Sequence, residues 1–177
     1  AVKELLSLMG RVEIEENFIG ARWSKLAINC AFSGLSAISG LTYGDICDDK
    51  YARKVAQAIL KECFDVAEAC GIRPGKIQGH DVAAIIGYRT ALKKRISYAL
   101  IPVAMKKHRQ LVSGMYYDLK AGKVCEADLV NGVISAYGSR VCRPAVLNGL
   151  VQDIAHQIER GERKISPENI EEFKKYV

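Results

Sequence analysis

Three polar side chains follow one another at helical spacing near the start of the chain. Lys25, Asn29 and Ser33 stand at i, i+4 and i+8, and the residues between them are mostly apolar. On a helix, this spacing places the three side chains in one stripe. Because the other faces are so apolar, we expect a buried helix whose lysine serves as a proton donor or an anion contact. An ordinary amphipathic helix, with Lys25 extended to solvent and Asn29 bonded locally, fits the same pattern.

A second group of polar residues comes much later in the chain. Glu126 and Asp128 are predicted at a helix N-terminus, where backbone amides stabilise carboxylates. Asn131 and Gly132 continue that helix although both are poor helix formers, which fits a close helix crossing at Gly132. If Glu126 faced Lys25 across a cleft, the carboxylate and the ammonium would orient a polar substrate and supply a proton. Capping and catalysis both remain open from the residues alone.

The elements that must position these residues are predicted to be helices throughout, so the expected fold is an all-α, multi-helix domain. A brief extended segment is expected at 11–15, and Pro102 is expected to kink or divide the helix in which it lies. No repeat, low-complexity tract or series of strands is found. The predicted helices are 1–9, 17–38, 50–70, further helix within 80–110, 115–119, one beginning at 126, one opened by Arg143 and Pro144 that ends at Gly161, and 166–176.

Length and composition are those of a soluble globular protein. The chain has 177 residues, 49% of them hydrophobic, and its mean hydropathy is near zero. No apolar run is long enough to span a bilayer, and the first residues lack a signal-peptide layout, so we expect a cytoplasmic protein. The chain begins without methionine and inside an apparent helical pattern, and we therefore expect a fragment of a longer polypeptide.

Metal, disulfide and nucleic-acid sites are not indicated. The six cysteines form no C-x-x-C pair, so buried free thiols are expected. His80 and Asp81 fit a helix start better than a metal or hydrolase site. The net charge of +6 arises partly from short basic runs at 93–95 and 106–109 without interleaved aromatic residues. Solvated helix faces explain such runs, and an anionic small substrate is equally compatible with them.

The two polar stretches together resemble the ketopantoate reductase family. The first matches as Trp23-Ser-Lys-Leu-Ala-Ile-Asn29. The second matches as Ser113-Gly-Met-x-x-Asp118 followed by Gly122-Lys-x-x-Glu-x-Asp-x-x-Asn-Gly132. Glu62 and the helix end at Gly71 are similar as well, and the resemblance covers most of residues 17–160.

The resemblance implies a helical C-terminal domain of the 6-phosphogluconate-dehydrogenase-like type. Residues 1–16 would be the tail of a missing N-terminal Rossmann domain, and residues 17–177 the substrate-binding and catalytic domain. The implied activity is reduction of 2-dehydropantoate to pantoate with NADPH, in pantothenate biosynthesis. No G-x-G-x-x-G fingerprint occurs in the chain, so the N-terminal domain would bind most of the NADPH, and the isolated chain is expected to be inactive.

The resemblance also assigns roles to individual residues. Lys25 would be the general acid, and Glu126 would bond the substrate hydroxyl and help to hold Lys25. Substrate contacts would involve the residues at four further positions, Asn29, Ser33, Ser113 and Gly114. Beyond nicotinamide-end contacts, no cofactor-binding residue is expected in this chain.

Departures from the family pattern leave other functions open. The family commonly has serine where this chain has Gly114, and often asparagine where it has Ser33, so another 2-oxoacid is an alternative substrate. A non-catalytic helical dimerisation or interaction module is a second alternative. The expected partners are a small 2-oxoacid and the chain's own Rossmann domain, without nucleic acid or membrane, and a homodimer is left open.

Overall fold

The structure, a computed structural model, describes residues 2–10, 12, 14–76 and 81–177. No β-strand occurs among these residues, which confirms the all-α prediction. A π-helical segment at Asn29–Ser33 joins two helices, and 3-10 helices lie at Lys106–His108 and Pro167–Lys175. The α-helices are α1 (Val2–Ser7), α2 (Phe18–Ile28), α3 (Gly34–Ser39), α4 (Tyr43–Asp48), α5 (Lys50–Ala69), α6 (Val82–Ile86), α7 (Ala91–Ala104), α8 (Gly114–Lys120), α9 (Asn131–Arg140) and α10 (Val146–Glu159).

Helix α5 lies at the centre of the domain. It packs against the π-helical segment and against α2, α4, α6, α7, α9 and α10. Its apolar face is fully buried at Val55, Ile59, Cys63 and Val66, as the helical periodicity predicts. Burial of these side chains supplies the main free energy that holds the surrounding helices in place.

Several helix ends follow directly from local sequence. Asp49 caps α5 by accepting hydrogen bonds from the backbone amides of Tyr51 and Ala52. Gly71 and Gly161 follow the ends of α5 and α10 with φ of +69° and +72°, a conformation that favours glycine. These three ends were predicted correctly because a cap depends on only a few neighbouring residues.

Other boundaries were predicted wrongly. The helix expected to begin at Glu126 begins at Asn131, because residues 126–130 form successive turns instead. Pro102 does not divide α7, which continues through it and ends two residues later at Ala104, although the proline cannot donate the i→i−4 backbone hydrogen bond. The last helix is a 3-10 helix, and α10 begins two residues after Pro144.

Some predictions fall on residues that the structure does not describe. The extended segment 11–15 includes Arg11 and Glu13, and the pair His80-Asp81 includes His80; all three lie outside the described residues, as does Ala1. Within the described part of the chain, no helix has the length and apolar character needed to cross a membrane.

Candidate functional site

The outer face of α2 carries the lysine of the polar stripe. The opposite face is fixed to the core: the Trp23 indole donates to the Cys63 carbonyl at 2.9 Å, and the Ser24 hydroxyl donates to the Gly75 carbonyl at 2.7 Å. With these two residues directed inward, Lys25 points to solvent and is exposed. The expectation of a buried ammonium is therefore wrong, because α2 is covered on one side only.

Lys25 has no ion-pair partner among the described residues. Asn29, one turn after Lys25, is half-buried. Arg22, one turn before Lys25, is exposed, and its guanidinium carbon lies 5.5 Å from the centre of the Phe18 ring. The exposed face of α2 thus presents two cations and one amide along a single line. Such a face can contact an anion or polarise a carbonyl group placed over it.

A π-helical turn continues the stripe. The Gly34 amide bonds the Asn29 carbonyl five residues back, rather than four as in an α-helix. In an α-helix, two residues four apart differ in direction by about 40°, so the stripe drifts around the axis. The wider π turn holds more residues per turn and reverses that drift between Asn29 and Ser33. Lys25 and Ser33 therefore point in closer directions than they would on a regular helix.

Two hydrogen bonds tie the end of this stripe to its surroundings. The Ser33 and Tyr43 hydroxyls lie 2.6 Å apart and share a hydrogen bond. Three residues further on, the Ser36 hydroxyl accepts from the backbone amide of Ser113 at 3.1 Å. The start of α8, with buried Ser113 and exposed Gly114, is thereby held beside the helix that carries the stripe.

The acidic residues of the second stretch lie in the turns before α9. Glu126 is exposed and makes no ion pair with Lys25 or with another described residue. Asp128 instead contacts α10, where it accepts from the Gln152 amide at 2.6 Å and lies 2.9 Å from the imidazole of His156. Of the two carboxylates, Asp128 therefore has side-chain partners and Glu126 has no ion pair among the described residues. The direct contact expected between Glu126 and Lys25 is not present.

A buried chain of hydrogen bonds connects α5 to the π-helical turn. The carboxylate of Glu62 accepts from the Asn148 side-chain amide at 2.7 Å, and from the backbone amides of Leu147 and Asn148. The Asn148 oxygen accepts from the Asn131 amide at 2.9 Å, and the same amide donates to the Cys30 carbonyl at 3.1 Å. We call these residues, Glu62, Asn148, Asn131 and Cys30, the buried relay.

The relay has a fixed direction. A carboxylate can only accept, so Glu62 orients the Asn148 amide nitrogen toward itself and leaves the Asn148 oxygen for Asn131. Asn131 must then direct its nitrogen at the Cys30 carbonyl of the π turn. Burial raises the pKa of Glu62 and outweighs the opposing effect of its hydrogen bonds. Asn131 is fully buried, and its own oxygen has no hydrogen-bond partner.

Gly34 is required where the π turn meets α9. A Cβ atom at this position would lie 2.6 Å from the Asn131 oxygen and 3.0 Å from a Val151 methyl group. At Gly132, where the sequence favoured a close helix crossing, a Cβ would lie 2.7 Å from the end of the Gln152 side chain on α10, which is flexible and can move aside.

The sequence-based reasoning missed the relay and the partner of Ser33. Tyr43 is the first residue of α4, a helix absent from the predicted set, and Thr42 and Asp45 cap its N-terminus with a reciprocal capping box. The pattern Thr-x-x-Asp is a local signal that could have found this helix. No local signal could have found the relay, since its hydrogen bonds join residues 17 to 101 positions apart.

The described cysteines belong to no cluster of side chains suited to a metal. No group of three or more histidine, cysteine or acidic side chains suited to a metal is found in residues 2–10, 12, 14–76 and 81–177. The prediction of buried free thiols is correct for four cysteines; burial raises the pKa of Cys125 to about 11. Cys70 is half-buried and Cys142 is exposed.

Solved structures share this fold. A ketopantoate reductase of the PanE/ApbA family from Ralstonia eutropha superposes with a TM-score of 0.68 at 28% identity, covering 90% of this chain and 48% of that one. D-mandelate dehydrogenase in complex with NADH superposes with a TM-score of 0.70 at 18% identity, covering 92% and 50%. The chain thus shares its helical fold with about half the length of each of these two oxidoreductases.

Sequence comparison narrows this class to one family. The family "Ketopantoate reductase PanE/ApbA C terminal" matches residues 17–159, and the chain belongs to it. A 2-dehydropantoate 2-reductase from Pyrococcus horikoshii is 28% identical over 85% of this chain and 44% of its own length. One from Pyrobaculum aerophilum is 28% identical over 78% and 44%. The chain therefore spans less than half the length of these curated relatives.

Proposed function

We propose that this chain is the catalytic C-terminal part of an NADPH-dependent 2-dehydropantoate 2-reductase, with Lys25 as general acid. One observation carries the proposal: the family's lysine lies exposed and without an ion pair on α2, in line with Asn29 and Ser33. A free ammonium at a fixed position on a rigid helix suits proton transfer to a substrate.

The chemistry is the reduction of a ketone to an alcohol. NADPH, when bound, supplies the hydride. Lys25 polarises the carbonyl oxygen by its charge and gives that oxygen a proton as the alcohol forms. Asn29 donates from its amide to a substrate oxygen, and Glu126 accepts from the substrate hydroxyl group. Ser113 and Gly114, held beside the stripe by Ser36, border the substrate carboxylate.

We propose that residues 1–16 end a preceding NADP-binding domain that closes over α2. Helix α1 buries none of its residues, and Val2, Leu5 and Leu8 are 72%, 67% and 84% exposed. Phe18, at the start of α2, is 59% exposed, so apolar surface borders the polar stripe. A covering domain would remove this surface from water and would also exclude water from the substrate. The described residues, being helical, offer no strand-turn-helix unit for the dinucleotide phosphates.

A different 2-oxoacid is the second candidate substrate. The Ser33 hydroxyl is engaged by Tyr43, and Gly114 offers no side chain, so two of the four substrate positions differ chemically from the family pattern. Loss of a hydrogen bond to a carboxylate would shift preference toward substrates held by their apolar part. Measurement of kcat/KM for a series of 2-oxoacids separates the two candidates. A higher kcat/KM for another 2-oxoacid than for ketopantoate would show that the other acid is the substrate.

The deciding experiment is NADPH oxidation by the complete polypeptide with ketopantoate, for the wild type, Lys25→Ala and Lys54→Ala. Lys54 is also an exposed helical lysine but lies on α5, away from the stripe, and serves as the matched control. Lys25→Ala should lower kcat/KM by at least about 100-fold, the lower range for loss of a general acid. The free energy of unfolding of both variants should lie within about 0.5 kcal/mol of the wild-type value, as is usual for substitutions of exposed residues. Turnover retained by Lys25→Ala would refute the assignment.

A further inference from the structure

One face of α10 holds the stretch that carries Glu126. Four polar side chains of α10, spaced by four, four and three residues, share this face and contact the stretch: Asn148, Gln152, His156 and Glu159. At one end, Asn148 accepts from the Asn131 amide, and at the other Glu159 accepts from the Cys125 backbone amide at 2.8 Å. The two middle side chains contact Asp128. The stretch is therefore fixed to α10 along its whole length.

The same stretch is closed by its own backbone hydrogen bonds. The Glu126 carbonyl accepts from the backbone amides of Leu129 and Val130, both at 3.0 Å. The Gly132 amide donates to the Ala127 carbonyl at 2.9 Å. Because these turns follow one another without a gap, a displacement of Asn131 moves the backbone at Glu126 with it.

The helix that carries Lys25 meets this stretch at Cys30, in the π turn. The Cys30 carbonyl accepts from the Asn131 amide at 3.1 Å, and the Cys30 thiol donates to the Val130 carbonyl at 3.6 Å. Both hydrogen bonds found between residues 25–33 and residues 126–131, which the structure describes in full, thus involve Cys30. Since Lys25 and Glu126 make no ion pair with each other, their separation is set at this junction.

Asn131 supplies a directional contact at the junction. Its amide satisfies two acceptors, the Cys30 carbonyl and the Asn148 oxygen, while its own oxygen remains unpaired beside Gly34. An apolar side chain of similar size would fill the same space without an unpaired oxygen. The amide adds a hydrogen bond of defined length and direction between two backbone segments, which apolar packing does not provide. The buried relay keeps that amide in the one orientation that makes this bond.

We propose that Asn131 is a positioning residue that sets the separation between Lys25 and Glu126 on the two sides of the substrate. The inference rests on the proposed function, in which Lys25 gives a proton to the carbonyl oxygen and Glu126 accepts from the substrate hydroxyl group. Asn131 itself is fully buried and touches no substrate. A misplacement of about 1 Å between two groups that act on one substrate lowers the rate by about 100-fold, so the junction controls turnover from beneath the site.

The first test is a double-mutant cycle in the complete polypeptide. It compares kcat/KM for ketopantoate and NADPH in the wild type, Asn131→Ala, Glu126→Ala and the double variant. Asn131→Ala should lower kcat/KM by at least about 10-fold in the wild type but by no more than about 3-fold once Glu126 is absent, since no separation is then left to maintain. An equal loss in both backgrounds, as a smaller amount of folded enzyme would give, overturns the proposal.

Asn169→Ala is the matched control. Asn169 is also a buried asparagine, and its amide donates to the carbonyls of Ile38 and Lys164 at 2.7 and 3.0 Å, away from both polar stretches. It should lower the free energy of unfolding as Asn131→Ala does but leave kcat/KM within about twofold of the wild type. An equal loss of kcat/KM in the two variants would show general destabilisation and refute the positioning role.

A second, milder variant weakens the same junction. Cys30→Ala removes the thiol contact to Val130 and leaves the Cys30 carbonyl in place for Asn131. It should lower kcat/KM in the same direction as Asn131→Ala, by a smaller factor, and again less strongly when Glu126 is absent. Wild-type kcat/KM in Cys30→Ala together with additive losses in the first cycle would leave the junction without a role in turnover.

Amide hydrogen exchange tests the junction without any turnover. In Asn131→Ala, the Gly34 amide of the π turn and the Val130 amide of the acidic stretch should both exchange at least about 10-fold faster, beyond the change in global stability. Asn169→Ala should change neither beyond its global effect. Wild-type exchange at both amides in Asn131→Ala overturns the proposal. A wild type that reduces no 2-oxoacid refutes the proposed function instead, and the exchange rates then decide separately whether Asn131 joins the two stretches.

Discussion

The replacement Asn131→Asp tests the buried relay most sharply, because it changes chemistry with almost no change in shape. The Asn131 amide nitrogen donates to the Cys30 carbonyl at 3.1 Å and to the Asn148 oxygen at 2.9 Å. An aspartate places an acceptor where both neighbours are acceptors too. Asn148 cannot rotate its amide to compensate, because Glu62 accepts from its nitrogen.

The expected loss follows from these contacts. Two buried hydrogen bonds contribute about 1 kcal/mol each, and an uncompensated buried charge costs about 3–5 kcal/mol, so Asn131→Asp should lower the free energy of unfolding by about 4 kcal/mol or more. Asn131→Ala also loses both bonds, but it removes the Asn131 oxygen, which has no partner. Its loss should be smaller, about 2 kcal/mol. The near-isosteric change is thus predicted to be the more damaging one.

Urea unfolding followed by circular dichroism, with linear extrapolation, measures both variants against the wild type. The deficit of Asn131→Asp should shrink as the pH is lowered, since a neutral carboxyl group can donate one of the lost hydrogen bonds. Two results would refute the reasoning: equal stability of the two variants at neutral pH, or a deficit of Asn131→Asp that does not depend on pH.

Three further predictions concern stability. Gly34→Ala should lower the free energy of unfolding by about 1–3 kcal/mol, because its Cβ would overlap Asn131, whereas Gly149→Ala, with its nearest atom at 3.5 Å, should raise it by up to about 1 kcal/mol in the same urea assay. Equal effects would contradict the close contact. Burial raises the pKa of Glu62 in the folded state, so its stabilisation is complete below the ordinary value of 4.5 and is lost as the pH rises through the folded pKa. Wild type should therefore lose stability relative to Glu62→Gln as the pH rises above about 4.5, and parallel stability curves would contradict this. Cys142 follows α9 with φ of +54°, so Cys142→Gly should raise the midpoint of thermal unfolding, by the equivalent of roughly 1 kcal/mol; a lower midpoint would show that the thiol makes a compensating contact.

The polar stripe shows how far local pattern extends. The spacing of Lys25, Asn29 and Ser33 was correctly assigned to one helical path, but the burial of Lys25 was predicted wrongly. A high apolar content indicates that a helix packs against other parts of the protein, but it does not indicate how many of its faces are packed. Which side of α2 is covered depends on Trp23 meeting the Cys63 carbonyl, 40 residues away.

At the acidic stretch, the position at which the helix starts was predicted wrongly. Glu126 and Asp128 have the composition of a helical first turn, but the helix begins at Asn131. The amide of Asn131 is held by the Cys30 carbonyl and by Asn148, and these tertiary hydrogen bonds set where α9 starts. Local propensity is worth only a fraction of a kcal/mol per residue, so such contacts override it.

The sequence by itself determined the all-helical architecture, the caps of helices such as α5 at Asp49 and Gly71, and the two motifs that place the chain in its family. These features depend on residues within a few positions of one another, whose preferences act before any tertiary contact forms. Only the tertiary structure decided the exposure of Lys25, the π turn at Asn29–Ser33 and the relay that supports it. Each depends on hydrogen bonds and packing between segments that are distant in sequence, and their energies exist only once the helices have met.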